Sequence, residues 1–234
     1  MRPVFYAALF VIYLLFDRLA TALGSTRGQA GILVGFVVVA ATLAAQAWIF
    51  GQRPADAARW LGLGRPATRG VLAAVAVGAM LLLVVPLFAW ARGVEVVPVA
   101  NGARHVPGLF AQAGIAEETL FRGYLFHNLR ATRSFWGATG LAMLPFAAVH
   151  LVMFATMPWP VALAGLLLAL AVTPPMARLF ELGGNTIWAP AVLHFVIQGA
   201  IKLVELPGAI PPFALVWMAA AATIPWLVFV LRVR

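Results

Sequence analysis

The sequence predicts an all-α, polytopic transmembrane bundle, and three observations carry that prediction. Of 234 residues, 64% are hydrophobic and 10% charged, with a mean hydropathy of +0.99, a balance that cannot clothe a soluble domain in a charged surface. Apolar runs recur along the chain, about eight of them, most near the twenty residues that cross about 30 Å of hydrocarbon at 1.5 Å per residue. The charged residues gather at the ends of those runs, where a membrane protein carries its basic side chains. Neither an internal repeat nor a low-complexity tract breaks the pattern, so residues 1–234 read as one membrane-embedded domain.

In chain order the runs are Val4–Leu23, Ala30–Phe50, Val71–Ala91, Pro107–Leu129, Phe135–Thr156, Trp159–Phe180, Thr186–Val204 and Pro212–Leu231. The first follows Arg2 as a signal peptide would, but Asp17-Arg18-Leu19 is a poor small-residue cleavage site, and the run reads as a retained helix. The fourth carries charges that depress its hydropathy. Between the second and third runs, Pro54 suits a helix start and Trp60 lies among arginines. A short interfacial helix and a solvated loop with one anchoring tryptophan both fit there. Gly93 to Val106 reads as a surface loop. With a cytoplasmic N-terminus and alternating spans, the inner side receives Arg2, Arg53, Arg59, Arg65, Arg69, Arg130, Arg133, Arg178, Arg232 and Arg234. The outer side receives Arg18, Arg27, Arg92, Arg104 and Lys202. The excess of basic residues puts both termini inside.

Several function classes fall away. The net charge of +9 is dispersed at span ends rather than along one solvated face, which argues against a nucleic-acid partner. The chain has no cysteine, and so no disulfide, thiolate metal site or cysteine nucleophile.

Against this apolar background Glu117-Glu118-Thr119-Leu120-Phe121-Arg122 stands out, because an acidic or basic side chain at the centre of a membrane helix costs roughly 2.5–3.5 kcal/mol on insertion scales. On a helix Glu118 and Arg122 are one turn apart and can offset each other's desolvation, as structural glue even in an enzyme. Glu117 points about 100° away, which leaves a spare carboxylate suited to accepting and returning a proton. His150 and His194 also lie deep in predicted spans, where a lone imidazole often serves a structural hydrogen bond. Gln198, one turn beyond His194, adds an amide on the same face. His127 near Arg130 and His105 in a loop read as peripheral.

Taken in order, Glu117-Glu118-x-x-x-Arg122, Phe146-x-x-x-His150 and His194-x-x-x-Gln198 resemble the three motifs EExxxR, FxxxH and HxxxN of the CAAX-protease and bacteriocin-processing (CPBP, or Abi) family of glutamic intramembrane proteases. The likeness extends to Phe121-Arg122-Gly123-Tyr124-Leu125, Trp188-x-Pro190 and Leu61-Gly62-Leu63-x-Arg65-Pro66. The resemblance implies a helical bundle with a water-filled catalytic cavity and a motif-bearing core at 107–204. By position it makes Glu117 the general base that, with His150, activates a water. His194 and residue 198 then stabilise the oxyanion, and Glu118 and Arg122 hold Glu117 in place. The family pattern has Asn where this chain has Gln198, which keeps the amide donor but adds a methylene.

The reading is therefore an intramembrane endopeptidase that needs no cofactor and acts on a membrane-anchored or membrane-inserted peptide or protein substrate in the lipid bilayer. Arginine-rich, lysine-poor composition points to a bacterial inner membrane. A zinc alternative would draw on Glu117, His150 and His194 as a two-His, one-carboxylate set, without an H-E-x-x-H or an evident outer carboxylate to support it. Two non-enzymatic alternatives stand beside it: a scaffold or immunity-type protein of the same fold, motivated by Gln198, and a proton-coupled transporter, which lacks the usual inverted repeats.

Overall fold

Every apolar run is helical in the computed structural model, which describes residues 3–23 and 29–231. Arg2, Arg27, Arg232 and Arg234, used above for orientation, lie outside the described residues. The first helices are α1 (Pro3–Ala22), α2 (Gln29–Phe50), α3 (Pro54–Trp60) and α4 (Thr68–Arg92). After strand β1 (Val97–Pro98) comes α5, residues 102–130, then α6 (Phe135–Leu151) with a further turn at Met153–Thr156, and α7 (Trp159–Leu182). Helix α8 (Trp188–Leu203) leads straight into β2 (Val204–Glu205), and α9 (Ile210–Thr223) tightens into a 3-10 turn at Ile224–Val230.

Among the described residues, six helices are long and apolar enough to span a membrane. The two other predicted spans are α5, whose charges lower its hydropathy, and α8, which has 16 residues. Large apolar side chains such as Phe10, Phe36, Leu87 and Leu144 point outward, an arrangement suited to lipid and costly in water. This is an integral membrane protein.

The structure takes the helical of the two readings for residues 54–60 and departs from the sequence reading at His127 and at Gly93–Val106. Residues 54–60 are helical, with Pro54 in the first turn, where its missing N–H costs nothing. Trp60 is docked rather than solvated: its ring stacks on His127 at 4.5 Å, its Nε1 donates to Asn128 Oδ1 at 3.1 Å, and its carbonyl oxygen lies 2.6 Å from His127 Nδ1. His127, read as peripheral, thus anchors α3 to α5. The expected loop from Gly93 to Val106 contains β1 and the first turn of α5, which carries His105. Strand β1 pairs antiparallel with β2, Val97 opposite Glu205 and Pro98 opposite Val204, so the far end of α8 is tied to the start of α5.

The interior divides into two apolar clusters. One joins α1, α2, α5 and α6 around Phe5, Leu120, Tyr124 and Phe126; the other joins α4, α8 and α9 around Leu81, Leu193 and Trp217, and α7 contributes to both. The first cluster is closed by small residues. A Cβ at Gly31 would lie 2.4 Å from the Gly108 carbonyl oxygen, and one at Gly35 would lie 2.8 Å from that of Ala111, so this Gly-x-x-x-Gly face lets α2 and α5 touch backbone to backbone. Helices α5 and α8 meet between the two clusters, and the polar side chains gather there.

Candidate active site

Helix α5 is irregular where it carries its charges. Phe110–Ala116 and Thr119–Phe126 are π-helical, and Glu117 and Glu118 form the join between them. The Glu117 N–H donates to the Gln112 carbonyl and the His127 N–H to the Arg122 carbonyl, each five residues back. Such stretches widen a helix and turn its side chains out of the 3.6-residue phase, and they are frequent at functional sites.

Glu118 is the hub. Its side chain is fully buried, and its Oε1 accepts from Arg122 Nη1 at 3.0 Å and from His194 Nδ1 at 2.6 Å. The expected one-turn pair with Arg122 is therefore present, and Glu118 also joins α5 to α8. Its Oε2 is buried without a hydrogen-bond partner among the described residues. Arg122 is held from the other side by Phe146 of α6, whose ring centroid is 5.4 Å from the guanidinium carbon. Phe146 packs edge-on against Phe121 at 4.7 Å, and a small cavity lined by Arg122, Phe146 and Thr173 separates α5, α6 and α7 there.

Glu117 stays partly open, its side chain 16% exposed, with Oε2 3.7 Å from His194 Nε2. That is too long for a hydrogen bond and within ion-pair reach only when the imidazole is protonated. Gln198 Nε2 lies 3.0 Å from the same imidazole nitrogen, and Lys202 Nζ donates to Gln198 Oε1. The structure thus brings Glu117, Glu118, Arg122, His194 and Gln198 into one connected group.

His150 stands to one side of it. Its Nδ1 is 2.8 Å from the Phe146 carbonyl oxygen, which can only accept, so Nδ1 carries the proton and Nε2 is the basic nitrogen. The ring packs edge-on against Phe146 at 4.8 Å. Among the described residues no ion pair joins His150 to either glutamate, and no three of His, Cys, Asp and Glu are grouped to hold a metal ion. The set Glu117, His150 and His194 is not assembled here as ligands.

Sequence reasoning missed the Glu118–His194 contact and the part played by Lys202, which it counted as a loop charge. The signal for Lys202 was present: His194, Gln198 and Lys202 are spaced by four, and in a helix such residues share a face.

Residues 100–200 match the family described as type II CAAX prenyl endopeptidase Rce1-like, a stretch that takes in all three motifs. The match bears out the resemblance to CAAX proteases and supports a membrane-protease type of function. A comparison with curated proteins found no match.

Proposed function

We propose, from the Rce1-like pattern over residues 100–200, that the chain is an intramembrane endopeptidase that hydrolyses a peptide bond of a membrane-associated protein or peptide with a glutamate-activated water. Glu117 takes a proton from the water, and His150 accepts a hydrogen bond from the same water at Nε2. Attack on the peptide carbonyl builds negative charge on its oxygen; when that intermediate collapses the C–N bond breaks, and Glu117 passes the proton it took to the leaving amine. The second amide hydrogen of Gln198 donates to the charged oxygen, while His194 accepts the first at Nε2 and so holds the amide toward the oxyanion. Glu118 and Arg122 fix the helices that present these groups. The observation that carries the reading is the division of labour between neighbouring carboxylates: Glu118 is buried and doubly bonded, whereas Glu117 is partly open beside His194. The residues concerned fall in a core at 107–204, within a single domain that we assign to a bacterial inner membrane with both termini cytoplasmic.

The test is cleavage of a membrane-anchored reporter peptide by the purified protein in lipid vesicles. Glu117→Gln is expected to lower the rate by at least about a hundredfold, the scale of a lost general base. A variant that inserts normally and cleaves as fast as the parent overturns the mechanism. Gln198 favours a second reading, a non-catalytic scaffold of the same fold, because its amide is engaged by Lys202 and His194. Faster cleavage by Gln198→Asn argues for an enzyme. No cleavage by either protein, with a stable partner recovered by crosslinking, argues for the scaffold.

A further inference from the structure

Helix α8 carries a continuous ladder of polar side chains: Lys202 Nζ to Gln198 Oε1, Gln198 Nε2 to His194 Nε2 at 3.0 Å, and His194 Nδ1 to Glu118 Oε1 at 2.6 Å. An ammonium group has no lone pair to offer, so the atom of Gln198 that faces Lys202 must be the amide oxygen. The amide NH2 is then turned toward His194. That group can only donate, so the facing imidazole nitrogen, Nε2, must be unprotonated. The proton of the neutral ring sits on Nδ1, where the Glu118 carboxylate accepts it.

We infer that Lys202 is a positioning residue of this site: by holding the Gln198 amide in one orientation it selects the neutral, Nδ1-protonated form of His194. Without Lys202 the amide is free to turn its oxygen toward His194. Nε2 then binds a proton and, with Nδ1–H still bonded to Glu118, the ring becomes an imidazolium beside Glu117, whose Oε2 is 3.7 Å from Nε2. The charged groups around the ring are then Glu117 and Glu118 from α5, Arg122 beyond Glu118, and Lys202 on its own helix. The methylene that distinguishes Gln198 from the Asn of the family pattern also acquires a use, because the amide spans both Lys202 and His194 one turn away on either side.

The spectroscopic side of this inference stands on the geometry alone, and its catalytic side rests on the proposed hydrolysis. The experiment therefore has two arms. Histidine-15N-labelled protein in vesicles is examined at one near-neutral pH, with the His194 signals identified by their loss in His194→Gln. The parent and Lys202→Arg are expected to show one protonated nitrogen, Nδ1, and one unprotonated nitrogen. Lys202→Met is expected to show the imidazolium pattern, as is Gln198→Glu, whose side chain can only accept and which serves if Lys202→Met does not fold. Retention of the parental pattern in Lys202→Met, or a parent protonated at Nε2, overturns the inference. In the cleavage arm kcat of Lys202→Met is expected to fall roughly tenfold to a hundredfold at unchanged KM, with Lys202→Arg restoring it, the range seen when an outer partner of a functional imidazole is removed. Altered spectra in a protein that never cleaves reject the hydrolytic reading and keep the role of Lys202. Unaltered spectra in a protein that cleaves do the reverse.

Discussion

Glu118 receives a guanidinium and an imidazole on a single oxygen, fully enclosed by protein. Taking two charges out of water is repaid only while both are present, so removing one partner of a buried pair costs roughly 3–5 kcal/mol. Arg122→Met is expected to lose about that much in denaturant unfolding in detergent micelles. Glu118→Gln combined with Arg122→Met is expected to lose less than the two single changes added together, since neither group is then left as an isolated charge. Additive losses would show that the pair does not act as a unit. The sequence foretold this pair from its spacing alone, because neighbours four apart meet wherever they sit in a helix. It did not foretell the third member, since His194 is 76 residues away and its approach depends on how α5 and α8 are rotated toward each other.

At the scale of the elements, the two π-helical stretches of α5 explain why that rotation was illegible. A reading at 3.6 residues per turn gives Glu117 and Glu118 fixed directions, and the π turns on either side shift the phase of everything beyond them. The contact between α2 and α5 was hidden for another reason. A Gly-x-x-x-Gly spacing is visible at Gly31 and Gly35, but what it meets is set by the fold. An alanine is ordinarily the better helix former by about 1 kcal/mol. Gly31→Ala is nevertheless expected to lower the unfolding temperature, because its methyl group would overlap the Gly108 carbonyl. Gly140→Ala, on α6 with nothing within 4 Å of the added carbon, is expected to leave it unchanged or raise it. Equal effects at both positions would show that the close approach contributes nothing.

At the scale of the molecule, hydropathy made the fold class and the apolar runs readable, because the bilayer demands long apolar helices whatever their packing. The orientation is an expectation drawn from basic residues alone, and the tryptophans agree with the alternation of the spans, whichever side is inside. Exposed Trp48 and Trp136 lie near the helix ends assigned inside, and exposed Trp90 and Trp159 near those assigned outside, as two interfacial belts would require. The absence of cysteine from the sequence gives a clean background for testing this. A thiol at Glu95→Cys is expected to react with an impermeant reagent in intact cells, and one at Ala55→Cys only after permeabilisation. The opposite result inverts the assigned topology.

Helix α8 ends early, and the hairpin-like pairing of β1 with β2 takes over where its last turn stops. Sixteen residues rise about 24 Å, several ångströms short of a typical hydrocarbon core. An open loop at that depth would leave backbone groups unpaired; the ladder, with Val99 N–H donating to the Leu203 carbonyl at 3.0 Å, lets the chain stop there. Hydrolysis consumes one solvent molecule per bond broken. A helix shorter than the core is thick, with polar side chains at every turn from Lys202 to His194, would shorten the distance over which the proposed hydrolysis draws that reactant.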